Sequence, residues 1–185
     1  MLVACVKYRR MVTAMAVVGF FILMLAAMSR ATGPDARLLS LAHSIEARLG
    51  VMRSVAHYKW EHHIAVEAPE REAAVIKATV ARATELGLDE QLATHAVTAQ
   101  MEAAKAVQRR LIAAWGQGKD LPEGHAPDLA REIRPLINDL TGNFLNALKA
   151  ATPLLESCAV LERPIAVPPE VWATAIAGLN PEACD

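Results

Sequence analysis

Aromatic residues are scarce in this chain: Phe, Trp and Tyr together make up 4% of 185 residues, and there are only nine glycines. Scarcity of both, beside an apolar content of 54% rich in alanine, points to helices. No segment makes a convincing strand. Positive charge is not in excess. The formal net charge of −1 argues against a general nucleic-acid binder. Also missing are a nucleophile elbow, a phosphate loop and a zinc motif. The length allows one domain with a real core.

Only one long apolar run is present, from Met11 to Met28. Lys7, Arg9 and Arg10 precede it and Ser29-Arg30-Ala31 follow, the pattern of a secretory signal over residues 1–31. Residues 32–185 then form the mature helical domain, with 152–185 as its tail. The alternative is an uncleaved membrane anchor, because the run nearly spans a bilayer. Removal of the signal takes away four cations and no anion, leaving 15 basic and 20 acidic residues, a net of −5. An acidic protein that binds an anion must gather its cations locally. Cys5 lies in the signal, which leaves Cys158 and Cys184. In an oxidising compartment these would close one disulfide loop worth roughly 3 kcal/mol; in the cytosol they would be free thiols.

The mature chain reads as all-α: a helical bundle of one long and several shorter helices with a disulfide-closed C-terminal tail. Leu38, Leu41, Ala42, Ile45, Leu49, Met52, Val55 and Ala56 set a helical period, so a first helix is expected from Asp35 to about Ala65. Pro69 suits the first turn of a second helix running to about Leu86, with Gly87 as its C-terminal stop. Asp89 starts a third, ending near Trp115, and Gly116 to Gly124 is a loop by composition. A fourth is expected from about Pro127 to Ala150, with Pro135 forcing a kink or a late start. Prolines confine the tail to short helices, of which Val171 to Leu179 is the best candidate.

One stripe of the first helix carries Arg48, Met52, Val55 and Lys59. Arg48 and Lys59 are eleven residues apart, about three turns, so both cations sit on an otherwise apolar face. Each alone is ordinarily a snorkelling side chain whose stem packs while its charge reaches water. Gln100, Lys105 and Gln108 alone are ordinary solvated positions. Several cations turned inward together need a counter-charge, and a small polyanion is the simplest. His57, His62 and His63 suggest a metal, but the five-residue step from His57 to His62 is not that of a helical zinc pair, and no metal site is expected.

Taken as a set, Arg48, Lys59 and Arg71-Glu72 have the spacing of the all-helical chorismate mutases. Gln100-Met101-Glu102-Ala103-Ala104-Lys105-Ala106-Val107-Gln108 resembles the third-helix segment of that family. Trp60, Gly87-Leu88-Asp89, Trp115 and Ile133-Arg134-Pro135 look like its secreted subclass. The resemblance spans about Leu38 to Leu148. It implies conversion of chorismate to prephenate without a cofactor, in a homodimer whose protomers each carry a whole site; the competing reading is a non-catalytic exported helical bundle that binds a small dicarboxylate or acts structurally. The resemblance implies that Arg48 and Arg134 hold the substrate carboxylates, with Arg131 the weaker candidate for the second place. Lys59 and Gln108 would donate to the ether oxygen, Arg71 would add positive field, and Glu72 would accept from the ring hydroxyl or anchor an arginine. Two positions depart from the pattern. Ala104 stands where the family often has Ser or Thr on a carboxylate, and Ala68 where some relatives have an acid. No nucleic acid is implied, and membrane contact only if the N-terminal segment stays uncleaved.

Overall fold

Six α-helices and one π-turn make up the regular structure of the computed structural model, which describes residues 35–179 and Cys184. The expected signal or anchor segment lies outside the described residues. Helix α1 spans Ala36–Gly50, α2 Met52–Glu61, α3 Pro69–Glu85, α4 Glu90–Gly116, α5 Arg134–Leu155 and α6 Pro169–Ile176. There is no strand among the described residues. None of their helices is long and apolar enough to cross a membrane.

The expected long first helix is two helices in near continuation. Val51 keeps helical dihedrals (φ −69°, ψ −17°) between α1 and α2, and Val55 N–H still reaches Val51 C=O at 3.3 Å. The stripe therefore carries on across the joint: Leu41, Ala42, Ile45, Leu49, Met52, Val55 and Ala56 are all buried. α2 stops four residues before the expected end. His63 takes φ 53°, and the Ile64 and His63 N–H groups donate to the Lys59 and Trp60 carbonyls. This is a Schellman stop, with histidine in the left-handed place usually given to glycine. α3 ends the same way on Gly87 (φ 84°). α4 begins where expected, with Asp89 accepting from Leu92 N–H at 2.9 Å.

The fourth expected helix starts late. Asp128 caps a π-turn over Leu129–Ile133, in which Ile133 N–H reaches back five residues to Asp128 C=O. Pro135, without an N–H, falls in the first turn of α5, where that donor is not needed. At its other end α5 passes the expected stop at Ala150 and continues through Pro153 to Leu155. Ala151 and Leu155 are buried there, so packing outweighs the proline's local cost of about 3 kcal/mol. α6 is displaced by a few residues from the expected Val171–Leu179.

α1 packs along α5, and α4 is flanked by α3 and α6. The main core joins Leu41, Ile45, Phe144, Leu145, Leu148, Val171 and Trp172. A smaller cluster of Met52, Val55 and Ile133, with Ala104 against it, lies under the polar seam described next. The tail is closed by the Cys158–Cys184 disulfide, with Cα atoms 5.5 Å apart.

Candidate functional site

Arg48 lies in the last turn of α1, half-buried, with its guanidinium 5.6 Å over the Phe144 ring. Its Nε donates to Gln100 Oε1 of α4 at 3.3 Å, and its Nη1 donates to the Thr141 hydroxyl of α5. Both partners are neutral, and no carboxylate pairs with Arg48 among the described residues. Burial pulls its pKa down to about 10, so it is charged at neutral pH and carries an uncompensated desolvation cost.

Lys59 lies in the last turn of α2 and donates from Nζ to the Val66 carbonyl at 2.7 Å. Burial lowers its pKa, while the Glu72 and Glu67 carboxylates push back. Glu72, in the first turn of α3, accepts from Ala68 N–H at 2.7 Å and from Lys105 Nζ at 2.9 Å. Those two bonds, the one from Lys105 foremost, lower the pKa of its carboxyl. Lys105 is raised by Glu102 and Glu72 together. Glu72 therefore secures a lysine of α4 and the N-terminus of α3 rather than an arginine.

Gln108 is 5% exposed on α4. Its Nε2 donates to Ala104 C=O at 3.1 Å and to Met52 Sδ at 3.5 Å, a weak acceptor. Its Oε1 is buried without a partner among the described residues. A buried polar atom without a partner is costly in a packed core, and Trp115 Nε1 is the other such atom among the described residues. Ala104 is half-buried one turn before Gln108. Arg71 is exposed on the first turn of α3, and Arg131 and Arg134 are exposed around the start of α5. Arg134 lies seven residues before Thr141, about two turns along the same face, so it stands on the side of α5 that meets Arg48.

α4 thus carries a polar seam, meeting Arg48 through Gln100, Met52 through Gln108, and Glu72 through Lys105, with Lys59 in the field of Glu72; Arg71, Arg131 and Arg134 are exposed. Three seam residues carry more than their sequence positions suggested. Gln100 is 1% exposed, and Thr141 and Lys105 each hold a charged partner. The four-residue steps from Gln100 to Ala104 to Gln108 were the available signal for Gln100. The histidines have other duties. His62 lies tilted against Tyr58, with ring centroids 4.2 Å apart, and His57 meets Trp115 edge-on at 6.3 Å. No His, Cys, Asp and Glu group among the described residues could hold a metal.

Fold and seam together define a class, an all-helical protein with a cation-rich polar seam on its central helices. Residues 35–109 match the chorismate mutase type II family. The chain is 34% identical over 129 residues to a secreted chorismate mutase of Yersinia pestis, covering 69% of this chain and 64% of the relative. It is 33% identical over 111 residues to a monofunctional chorismate mutase of Enterobacter agglomerans, covering 59% of each. The matched stretch is thus under two thirds of either curated relative's length. The solved chorismate mutase of Burkholderia thailandensis superposes with a TM-score of 0.68 at 30% identity, covering 78% of this chain and 99% of that one. The Burkholderia phymatum enzyme gives 0.62 at 30% identity, covering 77% and 84%. The chain belongs to the chorismate mutase family.

Proposed function

We propose that the protein catalyses the pericyclic rearrangement of chorismate to prephenate. The reading is carried by Arg48, a half-buried guanidinium held by neutral groups only, so its charge is left for an anion. Chorismate carries two carboxylates. Its rearrangement breaks an ether C–O bond while a C–C bond forms in the same molecule, and it needs no proton transfer, nucleophile or cofactor. Negative charge grows on the ether oxygen as the bond breaks. The protein's tasks are to hold the enolpyruvyl arm folded over the ring and to set donors at that oxygen.

Arg48 and Arg134 suit the first task, since a planar fork fixes a carboxylate in direction as well as position. Arg71 adds positive field at the rim. Lys59 and Gln108 suit the second. Lys59 leaves the Val66 carbonyl, and Gln108 leaves Ala104 C=O and a weak sulfur acceptor. Glu72 keeps lone pairs for the ring hydroxyl beyond the two already used. Ala104 lacks the hydroxyl common in the family, at a cost in substrate affinity of about 0.5–1.5 kcal/mol. The signal segment, the disulfide and the likeness to a secreted relative support export, with residues 1–31 removed. Family precedent supports a homodimer in which Arg134 serves its own protomer.

Calorimetric titration with a dicarboxylate analogue of the transition state tests the site. Wild type should bind it, and Arg48→Ala should bind at least tenfold more weakly. Equal affinity for both proteins would remove Arg48 from the site. Tight binding with no turnover of chorismate would make the chain a binding relative that has lost catalysis.

A further inference from the structure

Gln100 is among the most buried polar side chains described, 1% exposed on α4. Both ends of its amide are used. Oε1 accepts from Arg48 Nε at 3.3 Å, and Nε2 donates to the Ala175 carbonyl of α6 at 2.9 Å. These partners allow one orientation only. A guanidinium can only donate and a backbone carbonyl can only accept, so a flipped amide would set donor against donor and acceptor against acceptor. Ala175 lies in the last turn of α6, whose carbonyls have no partner within the helix and carry its negative dipole end. That end polarises the amide in the sense that strengthens its oxygen toward Arg48. α6 is itself fixed by buried Val171, Trp172 and Ala175.

We infer that Gln100 is a positioning residue for substrate: it sets the Arg48 guanidinium at a fixed angle and transmits to it the placement of the C-terminal helix α6. Gln100 touches no substrate atom. With Nε spent on Gln100 and one Nη1 hydrogen on Thr141, three of the five N–H groups of Arg48 remain, enough for a carboxylate fork. A neutral amide is the side chain this position needs. It satisfies Nε without cancelling the charge, whereas a carboxylate there would compete with the substrate for the guanidinium. The tail beyond α5 therefore takes part in shaping the site.

The inference rests on the mutase reading, in which Arg48 holds a carboxylate, and its test separates the two. Gln100→Met keeps volume and length but loses both hydrogen bonds. Gln100→Glu keeps the shape and adds an anion beside Arg48. Steady-state kinetics on chorismate and thermal melts would be recorded for both beside wild type. Because the lost interaction acts on ground state and transition state alike, KM should rise tenfold or more in each variant, most in Gln100→Glu, while kcat changes less than threefold. KM within twofold of wild type in either folded variant would overturn the inference and leave the mutase reading standing. A fall in kcat at unchanged KM would also overturn it, by placing Gln100 in the chemistry. No turnover by wild type would sink the mutase reading itself and this inference with it. If Gln100→Met melts before assay, Gln100→Glu alone decides by the same KM criterion, and Thr141→Val gives the comparison, since it removes the other support of Arg48 from the half-buried edge of α5.

Discussion

Gln108 and Lys59 set the pH behaviour of the proposed reaction. A glutamine amide donates at any pH, while a glutamate at the same place must be protonated to do so. Activity should therefore be flat across roughly pH 5–8, where Lys and Arg stay charged. Glu72 does not disturb this range, because its carboxyl is held below the usual value and stays ionised. Gln108→Glu should turn the profile acidic, with kcat/KM falling as pH rises; a flat profile in that variant would remove residue 108 from the ether oxygen. On the alkaline side the active form is the charged one. Burial lowers the Lys59 pKa from 10.5 and brings Arg48 to about 10, so kcat/KM should fall as pH rises through those lowered values. A plateau extending past pH 10.5 would show that Lys59 charge is not needed.

Single elements show where local sequence and packing part company. Asp128 Oδ1 accepts from Ala130 and Arg131 N–H at 2.8 and 2.7 Å, and Glu132 reaches back to Asp128 N–H. Asp128→Ala should cost about 1 kcal/mol, seen as a melting point a few degrees lower. It should also raise KM, because the π-turn sets where Arg134 begins α5; an unchanged KM would detach Arg134 from substrate. Helix identity was legible from the apolar period, and so were the stop at Gly87 and the end of α4 near Trp115, where Gly118 takes the left-handed place (φ 73°). The end of α2 was not, because a histidine takes the left-handed position there. Nor was the run of α5 through Pro153, which buried Leu155 decides from a distance. The cations of the stripe were legible because the helical period puts Arg48 and Lys59 on one face. The four-residue steps put Gln100 on the face of Ala104 and Gln108, but its burial was not legible, since its partners lie 52 residues before it and 75 after.

At the scale of the whole molecule, the tail meets α4 at Gln100, and Gln100 meets Arg48 of α1. Cys158 stands in the left-handed position that ends α5 (φ 58°) and is bonded to Cys184 beyond α6. The loop between them carries α6, whose Ala175 carbonyl meets Gln100. Replacing both cysteines by serine should lower stability by roughly 3 kcal/mol in denaturant titration. Loss under 1 kcal/mol would mean that packing of Val171 and Trp172 holds the tail unaided.

In the proposed reaction, arginines that hold a dianion and the Lys59 and Gln108 donors at its ether oxygen, not a nucleophile or a metal, accelerate the rearrangement. This is tested most directly by following the loss of chorismate absorbance with the purified protein and with Lys59→Ala. Turnover by wild type that falls by two or more orders of magnitude in the variant is the predicted result. No turnover by a folded wild-type protein with its disulfide intact, or equal turnover by Lys59→Ala, would contradict the account.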